Sequence, residues 1–341
     1  MIEVFSPKER LLRVLKKEKV ERPPVICPGG MMNSAIVEIM QKTGHTLPEA
    51  HHTDSLMSSL AADVQKYTGF ENFGIPFCMT VEAEVLGSEV NFGSLECEPK
   101  IQKEAYPSVS EVKFYVPGTM AKHNRVGAII NTINKLSKSN PDIPVIGSLT
   151  GPISTSASLV DPMTFLKQLR KDKENSHRII DYVCGHLIEY ATLMVEAGAS
   201  VISIADPTAT GEILGPKLFD EYAVRYLNKV ANAIHLLGVP VIIHICGKME
   251  AVKPLIANLT GNAISVDAFV SLKGLKSEIP SITTMGNLST IALEFSQPDK
   301  IQVMTEKLLE ENINIISPAC GLSTSTPLAN INALTGTVLN K

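Results

Sequence analysis

A histidine and a cysteine lie two residues apart at the end of a strongly apolar segment, GVPVIIHICGK (238–248). Residues i and i+2 of a strand point to the same side, so His244 and Cys246 are expected to share one face of a sheet. Gly247 then interrupts the strand, which places both side chains at its carboxyl end. Imidazole and thiolate groups are common metal ligands, and the pair therefore indicates a metal site.

A second cysteine has an equivalent position late in the sequence. The segment NINIISPACG (312–321) also runs from apolar residues to a cysteine, Cys320, directly before a glycine. One neutral imidazole and two thiolates would bind Zn²⁺ and leave a fourth position open, as catalytic zinc sites do. Sulfur ligands argue against Mg²⁺ and Ca²⁺. In the alternative interpretation, Cys246 is a buried free cysteine and His244 is hydrogen-bonded to a carbonyl.

The charge of such a site indicates its chemistry. Two thiolates neutralise a divalent cation, and a thiol that enters the fourth position is expected to lose its proton because Zn²⁺ favours the anion. The sulfur-rich ligand set donates charge to the metal, so the entering thiolate should stay nucleophilic. We therefore expect alkylation of a thiol rather than hydrolysis, for which nitrogen and oxygen ligands and a strongly acidified water are more suitable.

Apolar strand-like segments that alternate with helical patterns are expected to position these ligands. The spacer between the third and fourth candidate strands shows two helical patterns. Asp161 is a predicted N-cap, Pro162 opens the first helix and Gly198 closes the second. Such alternation is typical of parallel strands joined by crossover helices, and eight units favour a (β/α)8 TIM barrel over an open doubly wound sheet. The eight candidate strands are 24–29, 71–77, 143–151, 198–207, 239–247, 262–269, 281–289 and 312–321.

The barrel is expected to span the chain as one α/β domain, residues 1–341, with an N-terminal helical extension. Residues 78–142 include a less regular polar segment, which is predicted to form an insertion at one mouth of the barrel. Active sites of barrels assemble at the carboxyl ends of the strands, and the fifth and eighth strands contribute to one rim. This arrangement would bring Cys320 to His244 and Cys246.

Composition and charge exclude several classes of protein. The 341 residues are 44% hydrophobic and 19% charged, with a net charge of −4, which is ordinary for a soluble protein with a sizeable core. The basic stripe of a protein that binds nucleic acid or an anionic membrane surface is missing. The first residues lack a signal peptide's apolar region and no stretch approaches the roughly 18 apolar residues of a membrane span, so we expect a cytoplasmic protein. The six scattered cysteines do not suggest a disulfide framework.

Five motifs of the sequence are informative when they are taken together: HICG (244–247), PACG (318–321), TPLANI (326–331), IADPTA (204–209) and GNLS (286–289). They resemble motifs of the uroporphyrinogen decarboxylase superfamily, and within it of the zinc-dependent methylcobamide:coenzyme M methyltransferase branch. The resemblance covers most of the chain. It implies a (β/α)8 barrel with zinc at its carboxyl-end mouth, held by residues that match the metal ligands: His244, Cys246 and Cys320.

One segment departs from the decarboxylases of this superfamily. They carry an arginine-containing motif just after the first strand, where this sequence reads CPGGMMNSAIVE (27–38). The arginines that would hold the carboxylates of a porphyrinogen are therefore missing. This departure argues against porphyrinogen decarboxylation.

The resemblance also implies roles for acidic residues near the mouth. Asp267 matches a residue that occupies the fourth metal position before substrate arrives, although an aspartate here would equally suit a turn or a helix N-cap. Glu84 matches an acidic position of the branch, and Glu82 is a neighbour that could be confused with it. His51 and His52 fall in a matching motif, but a solvated or capping role is expected for both.

Three further features are candidates for binding substrate. Asp206 ends the fourth strand and could orient His244 or hold a substrate amide, or it could be a cap at the end of the strand. Asn287 could donate a hydrogen bond to a substrate or to a corrinoid. The hydroxyl-rich segment 148–158 offers donors for an anionic group such as a sulfonate, although it is also a common loop composition.

The expected function is methyl transfer from a methylated corrinoid to a thiol such as coenzyme M. The sequence shows no cobalamin-binding module, so a separate corrinoid protein is expected to deliver the methylcobamide to the barrel mouth. One alternative within the superfamily moves a methyl group from a methoxy compound, a methylamine or a thioether onto a corrinoid protein. The others are a uroporphyrinogen decarboxylase and a non-catalytic zinc barrel.

Overall fold

A parallel sheet forms the centre of the computed structural model, which describes residues 4–341. Within these residues the main sheet has six strands in the order β1-β4-β5-β6-β7-β8, and every neighbouring pair is parallel. A separate antiparallel hairpin consists of β2 and β3. The strands are β1 Phe73–Ile75, β2 Glu89–Asn91, β3 Lys100–Lys103, β4 Val145–Thr150, β5 Val201–Ala205, β6 Val241–Ile245, β7 Ala263–Val266 and β8 Thr284–Met285.

Helices connect the strands of the main sheet, as the alternating pattern predicts. Asp161 caps the helix that follows it by accepting a hydrogen bond from the Thr164 N–H, and Gly198 has a positive φ of 113° after the long helix that ends at Glu196. Within residues 4–341, none of the helices combines the length and the apolar character needed to cross a membrane. The α-helices are α1 Pro7–Leu15, α2 Val37–Thr43, α3 Asp54–Thr68, α4 Val81–Val85, α5 Asn124–Ser139, α6 Pro152–Leu159, α7 Pro162–Lys171, α8 Lys173–Glu196, α9 Gly211–Leu218, α10 Arg225–Leu236, α11 Leu272–Glu278, α12 Thr290–Phe295, α13 Pro298–Glu310 and α14 Leu328–Leu339.

The central strands are buried on both faces. Every residue of β4, β5, β6 and β7 is buried, as expected for a parallel sheet that is covered by helices. All of these strands run in one direction, so their carboxyl ends lie on one side of the sheet. We call this side the mouth.

Two of the eight predicted strands are not strands in the structure. Residues 24–29 and 312–321 form isolated parallel bridges instead, among them Val25 with Ile316 and Ile315 with Met285 of β8. The prolines at positions 24, 28 and 318 explain the difference, because proline has no N–H to donate to a sheet ladder. Within residues 4–341, the fold is therefore α/β with a main sheet of six parallel strands, and this sheet does not close into a ring.

The predicted insertion contains regular structure of its own. Between β1 and β4, residues 78–142 form α4, the hairpin of β2 and β3, an extended segment and α5. The turn of the hairpin contacts the other end of the chain, because the Thr324 hydroxyl donates to the Glu96 carbonyl at 2.8 Å. The insertion thus lies against the segment that follows Cys320.

The predicted N-terminal extension is the helix α1, which packs against the core. Ser6 and Glu9 form a capping box at its start. Arg10 is fully buried and its Nη1 donates to the Glu71 carboxylate, which also accepts from both terminal nitrogens of Arg22. These ion pairs connect the first helix to the residues that precede β1.

Candidate metal centre

The end of β6 supplies two neighbouring ligand atoms. His244 is the fourth residue of the strand and is fully buried, and Cys246 follows the strand's last residue. The His244 Nε2 and the Cys246 Sγ lie 2.9 Å apart, so the two side chains share one face of the sheet as the spacing predicts. Their position at a strand's carboxyl end places them at the mouth.

Cys320 brings the third ligand atom to the same point. Pro318 forms a parallel bridge with Leu288, which places the following residues beside the end of β8. The Sγ atoms of Cys246 and Cys320 are 3.4 Å apart, and the ligand atoms of both cysteines and His244 all lie within 4.8 Å of one another. Two sulfurs bound to one tetrahedral zinc at 2.3 Å are about 3.8 Å apart, so this group fits zinc with little adjustment.

A glycine is needed after each of the two cysteines. Gly247 has φ +72°, a left-handed conformation that L side chains rarely adopt. A Cβ on Gly321 would lie 2.2 Å from the Met31 carbonyl oxygen, which is far inside contact distance. Backbone geometry therefore explains the cysteine–glycine pairs in the sequence.

The two thiols ionise unequally. The pKa of Cys320 is lowered to about 5, first by its hydrogen bond with the Cys246 thiol and then by His244. The same hydrogen bond and burial raise the pKa of Cys246. One sulfur of the pair is therefore readily anionic, and a cation between them would favour ionisation of the second.

Ser265 orients the His244 ring, a role that the sequence did not reveal. The residue pairs with His244 in the register of β6 and β7, and its fully buried hydroxyl lies 2.9 Å from the His244 Nδ1. This contact leaves the Nε2 directed at Cys246. A hydrogen bond of this kind fixes the orientation of a metal-binding imidazole.

The carboxylate of Asp206 has its hydrogen-bond partners at the start of α6. It accepts hydrogen bonds from the Ile153 N–H and from the N–H and hydroxyl of Ser154. Asp206 is fully buried, and burial raises its pKa to about 6. These hydrogen bonds satisfy donors in the first turn of a helix, and the predicted roles of Asp206 toward His244 or a substrate amide stay predictions.

Asn287 does not have free hydrogens for a ligand. Its Nδ2 donates to the carbonyls of Asp267 and Val270, at 2.9 Å and 2.8 Å, which uses both amide hydrogens. The predicted hydrogen bond from Asn287 to a substrate or a corrinoid would compete with these two bonds, and it stays a prediction. The side chain connects the residue after β8 to the loop after β7.

Asp267 lies beside the three-ligand group but outside it. Its Oδ2 accepts a hydrogen bond of 3.3 Å from the Gly247 N–H, one residue after Cys246. The negative charge of Asp267 also contributes to the raised pKa of Cys246. Its predicted role as a displaceable fourth ligand stays a prediction.

Glu84 belongs to a partly buried polar cluster near β1. Its carboxylate accepts from Arg125 at 2.5 Å and lies 4.0 Å from the Nε2 of His123. Arg125 also donates to the Sγ of Cys78 at 2.6 Å. The structure thus gives Glu84 an ion-pair partner, and its matched acidic role in the reaction stays a prediction.

Glu82 and His51, near Glu84, are both deeply buried, whereas the adjacent His52 is not. Glu82 is nearly inaccessible, and burial raises its pKa to about 7 although it accepts hydrogen bonds from the N–H and hydroxyl of Thr150. His51 is 1% exposed and burial lowers its pKa to about 3, so the expected solvated or capping role is wrong for this residue. His52 is exposed.

A cavity of about 250 Å³ opens next to the ligands and is lined partly by Met31, Cys78, Glu98 and Cys320. The Met31 Sδ lies 3.7 Å from the Cys246 Sγ, so the segment 27–38 contributes a methionine to this side of the site. A larger groove of about 760 Å³ lies at the amino ends of the strands, away from the mouth. We place the candidate site at the smaller cavity, because Cys320 lines it and the other two ligand atoms lie within 4.8 Å of the Cys320 Sγ.

Several known proteins are similar to this chain over most of its length. Residues 6–340 match the family described as "Uroporphyrinogen decarboxylase (URO-D)". The chain is 32% identical over 332 residues to the methylcobamide:CoM methyltransferase MtbA of Methanosarcina acetivorans, covering 97% of this chain and 96% of the relative. It is 32% identical over 334 residues to the methylcobamide:CoM methyltransferase MtaA of Methanosarcina barkeri, with the same coverage.

A solved structure has the same fold throughout. It is a methyltransferase from Methanosarcina mazei with a TM-score of 0.92 and 30% identity, covering 98% of this chain and 99% of that one. A B12-independent methionine synthase from Shewanella, at 14% identity and a TM-score of 0.57, shares the fold alone. The chain therefore belongs to the uroporphyrinogen decarboxylase family.

Proposed function

We propose that this protein transfers a methyl group from a methylcobamide to a small thiol such as coenzyme M, at a zinc site formed by His244, Cys246 and Cys320. The observation that supports this most strongly is the group of three ligand atoms within 4.8 Å at the mouth. The printed activity of the 32% identical Methanosarcina relatives is the second support. They use the substrates that the sulfur-rich ligand set favours.

The donor set of the site fits zinc better than a hard cation. It contains one imidazole and two sulfurs, and Ser265 holds the imidazole from behind. When bound, the zinc ion supplies positive charge that favours the thiolate form of a substrate thiol at neutral pH. The protein residues supply position: the cavity beside Cys320 has room for a small thiol, and Met31 forms an apolar wall there.

The proposed reaction is a displacement at carbon. The thiol proton leaves to solvent, and a sulfur–carbon bond forms as the cobalt–carbon bond of the methylcobamide breaks. Both electrons of the broken bond stay on cobalt, which changes from Co(III) to Co(I). Alignment of the thiolate with the methyl group is the contribution that a rigid site makes to such a reaction.

We also propose that the chain is a single (β/α)8 barrel domain. The bridges of Val25 with Ile316 and of Ile315 with Met285 support this, because they lie between the two outer strands of the sheet. The Glu71 N–H donates to the Val25 carbonyl at 2.9 Å, next to β1. Eight strand positions around one core would then surround the cavity.

Other activities have less support. A 25% identical relative is a methylated-thiol–coenzyme M methyltransferase from Methanosarcina mazei, which keeps demethylation of a thioether as the second candidate. Uroporphyrinogen decarboxylases are also relatives, at 24% identity for the one from Prochlorococcus marinus, but the arginine-containing motif is absent from residues 27–38. We propose a corrinoid protein as the carrier of the methyl donor.

The experiment compares wild type with Cys320→Ala and Cys97→Ala, the second being an exposed cysteine in the hairpin turn. We expect about one zinc per chain in wild type and C97A, and about a tenth of that or less in C320A. Wild type and C97A should convert methylcobalamin and coenzyme M to methyl-coenzyme M, and C320A should not. Zinc and activity retained in C320A would refute the proposal, and zinc without methyl transfer in wild type would favour a structural metal.

A further inference from the structure

A groove of about 600 Å³ lies between the long helix α8 and residues 115–121 of the insertion. We call residues 115–121 the strap. The volume falls in the range of about 300–1,000 Å³ that small-molecule sites occupy. None of the described residues that line the groove also lines the cavity beside Cys320, so the two sites are separate.

Hydrogen bonds to two side chains of α8 hold the strap beside the groove. The Tyr115 N–H donates to the Tyr182 hydroxyl at 3.1 Å. The N–H groups of Gly118 and Ala121 donate to the two carboxylate oxygens of Glu189, at 3.0 Å and 3.2 Å. Both walls of the groove are therefore tied to each other before any ligand arrives.

A glycine in the interior of α8 forms part of the groove's floor. Gly185 is three residues from Tyr182 and four from Glu189, so the three residues share one face of the helix. Glycine weakens a helix relative to alanine, and this one lies within a 24-residue helix. A Cβ at Gly185 would meet no atom within 4 Å, so packing inside the protein does not require glycine here. The missing side chain instead leaves room in the groove.

The groove also contains a buried nitrogen that makes no hydrogen bond. His186 lines the groove and is 4% exposed, and its Nδ1 has no hydrogen-bond partner within residues 4–341. The large majority of buried polar side-chain atoms in folded proteins have such a partner. A polar group of a ligand in the groove would supply the missing one.

The charge beside His186 favours a cationic ligand. The Glu189 Oε2 lies 3.5 Å from the His186 Nδ1, and within residues 4–341 no lysine or arginine lines the groove. The two N–H groups of the strap use two of about four lone-pair positions of this carboxylate, so it can accept from a further donor. The other carboxylate of the groove, Asp181, already pairs with Lys229. An ammonium group can donate to both Glu189 and His186, whereas the carboxylate would repel an anion.

Aromatic side chains determine the shape of the remaining ligand. Tyr115 and Tyr182 both line the groove, and the Tyr182 ring packs edge-on against the His186 ring with centroids 4.8 Å apart. Aromatic rings pack well against other rings and attract cations to their faces. A ligand that joins a flat apolar body to one ammonium group matches these neighbours.

We propose that this groove is a binding site for a small aromatic amine in its ammonium form. The ammonium donates to the Glu189 carboxylate and to the His186 Nδ1. The aromatic body lies over Gly185, against the rings of Tyr115 and Tyr182. The site is separate from the metal centre and does not depend on the proposed function.

The test uses tryptamine as the probe and indole as the matched molecule without the amine. The chain contains no tryptophan, so indole fluorescence reports the probe alone. Fluorescence anisotropy measures the Kd of each probe for wild type, Gly185→Leu, Glu189→Gln and the control Gly336→Leu. Gly336 lies in α14, and a Cβ there also meets no atom within 4 Å. Leucine favours a helix over glycine at both positions.

We expect G185L to raise the Kd for tryptamine about tenfold or more, because leucine fills the floor of the groove, and G336L to leave it within about twofold. E189Q should weaken tryptamine binding roughly tenfold and indole binding by less than about twofold, because a charge-assisted hydrogen bond is lost only with the amine.

Three results would overturn the assignment: no saturable rise in tryptamine anisotropy with wild type, equal Kd values for G185L and wild type, or binding of the anion indole-3-acetate as tight as that of tryptamine. None of these readouts involves zinc or methyl transfer. A failure of the groove is therefore distinguishable from a failure of the proposed function.

Discussion

The hydrogen bond between Ser265 and His244 decides which ring nitrogen faces Cys246. Because Nδ1 faces the Ser265 hydroxyl, Nε2 is the ring nitrogen that faces Cys246. The hydroxyl is buried, so water cannot replace it. The sequence predicted His244 and both cysteines from residue type and position, but a serine within a strand carries no signal of such a role.

Ser265→Ala should weaken zinc binding without removing a ligand. We expect the affinity for zinc to fall by about 10- to 100-fold, which is the usual effect of losing a hydrogen bond to a metal-binding histidine. Competition with a chromophoric chelator measures this affinity. Ser277→Ala, at an exposed position of α11, should leave the affinity unchanged. Equal affinities for S265A and wild type would show that the hydroxyl does not hold the ring.

Glu82 should make the stability of the protein fall as pH rises. Its pKa is about 7 in the folded state against 4.5 for the free side chain, so between about pH 4.5 and 7 the folded state binds one more proton than the unfolded state. The free energy of unfolding therefore decreases as pH rises through this window. A glutamine at position 82 is neutral at all pH values. Its amide can donate a hydrogen bond to the Thr150 hydroxyl, because that hydroxyl can itself donate to the Met79 carbonyl.

Urea unfolding of wild type and Glu82→Gln at pH 5 and pH 7.5 tests this. We expect E82Q to gain on the order of 1–3 kcal/mol relative to wild type between the two pH values. Asp206 and His51 also titrate abnormally, but they are present in both proteins and cancel in the difference. Glu89→Gln controls for the loss of a carboxylate at an exposed position. A difference that is independent of pH would contradict the assignment.

The loop after β7 depends on a single side chain from the neighbouring element. Asn287 donates two hydrogen bonds to carbonyls of that loop, which carries both Asp267 and Phe269. Asn287→Ala should lower the free energy of unfolding by about 1–3 kcal/mol, because two carbonyls lose their donors. Asn332→Ala, on an exposed face of α14, serves as the control in the same urea titration. A loss no larger than that of N332A would show that the loop holds its position unaided.

Element patterns predicted the order of strands and helices well where the strands are long and apolar. The segments around β4, β5 and β6 were recognisable because parallel strands with two buried faces are almost continuously apolar. Segments 24–29 and 312–321 had the same apolar character, but their prolines reduce them to isolated bridges. The partners of Asp206 and Asn287 were not predictable, because loops from distant parts of the chain bring those partners to them.

At the scale of the whole molecule, one carboxylate connects the N-terminal helix to the sheet. Glu71 accepts from Arg10, from both terminal nitrogens of Arg22 and from the Val25 N–H. Glu71→Ala should cost about 3–5 kcal/mol of unfolding free energy, because a buried ion cluster loses its shared anion. Glu18→Ala breaks the exposed pair with Arg13 and should cost about 1 kcal/mol or less. Thermal or urea unfolding compares the two, and equal costs would contradict the prediction.

The contact between Cys246 and Cys320 has a consequence for how the protein is made. Cys320 follows Cys246 by 74 residues, and at about 5–20 residues per second a ribosome needs roughly 4–15 s to add them. Until Cys320 is added, the nascent chain has only His244 and Cys246 of the three ligands, and two ligands bind a metal ion more weakly than three. Loading of the proposed zinc site therefore belongs to the last moments of translation or to the time after release, and the finished polypeptide should take up zinc without being translated again.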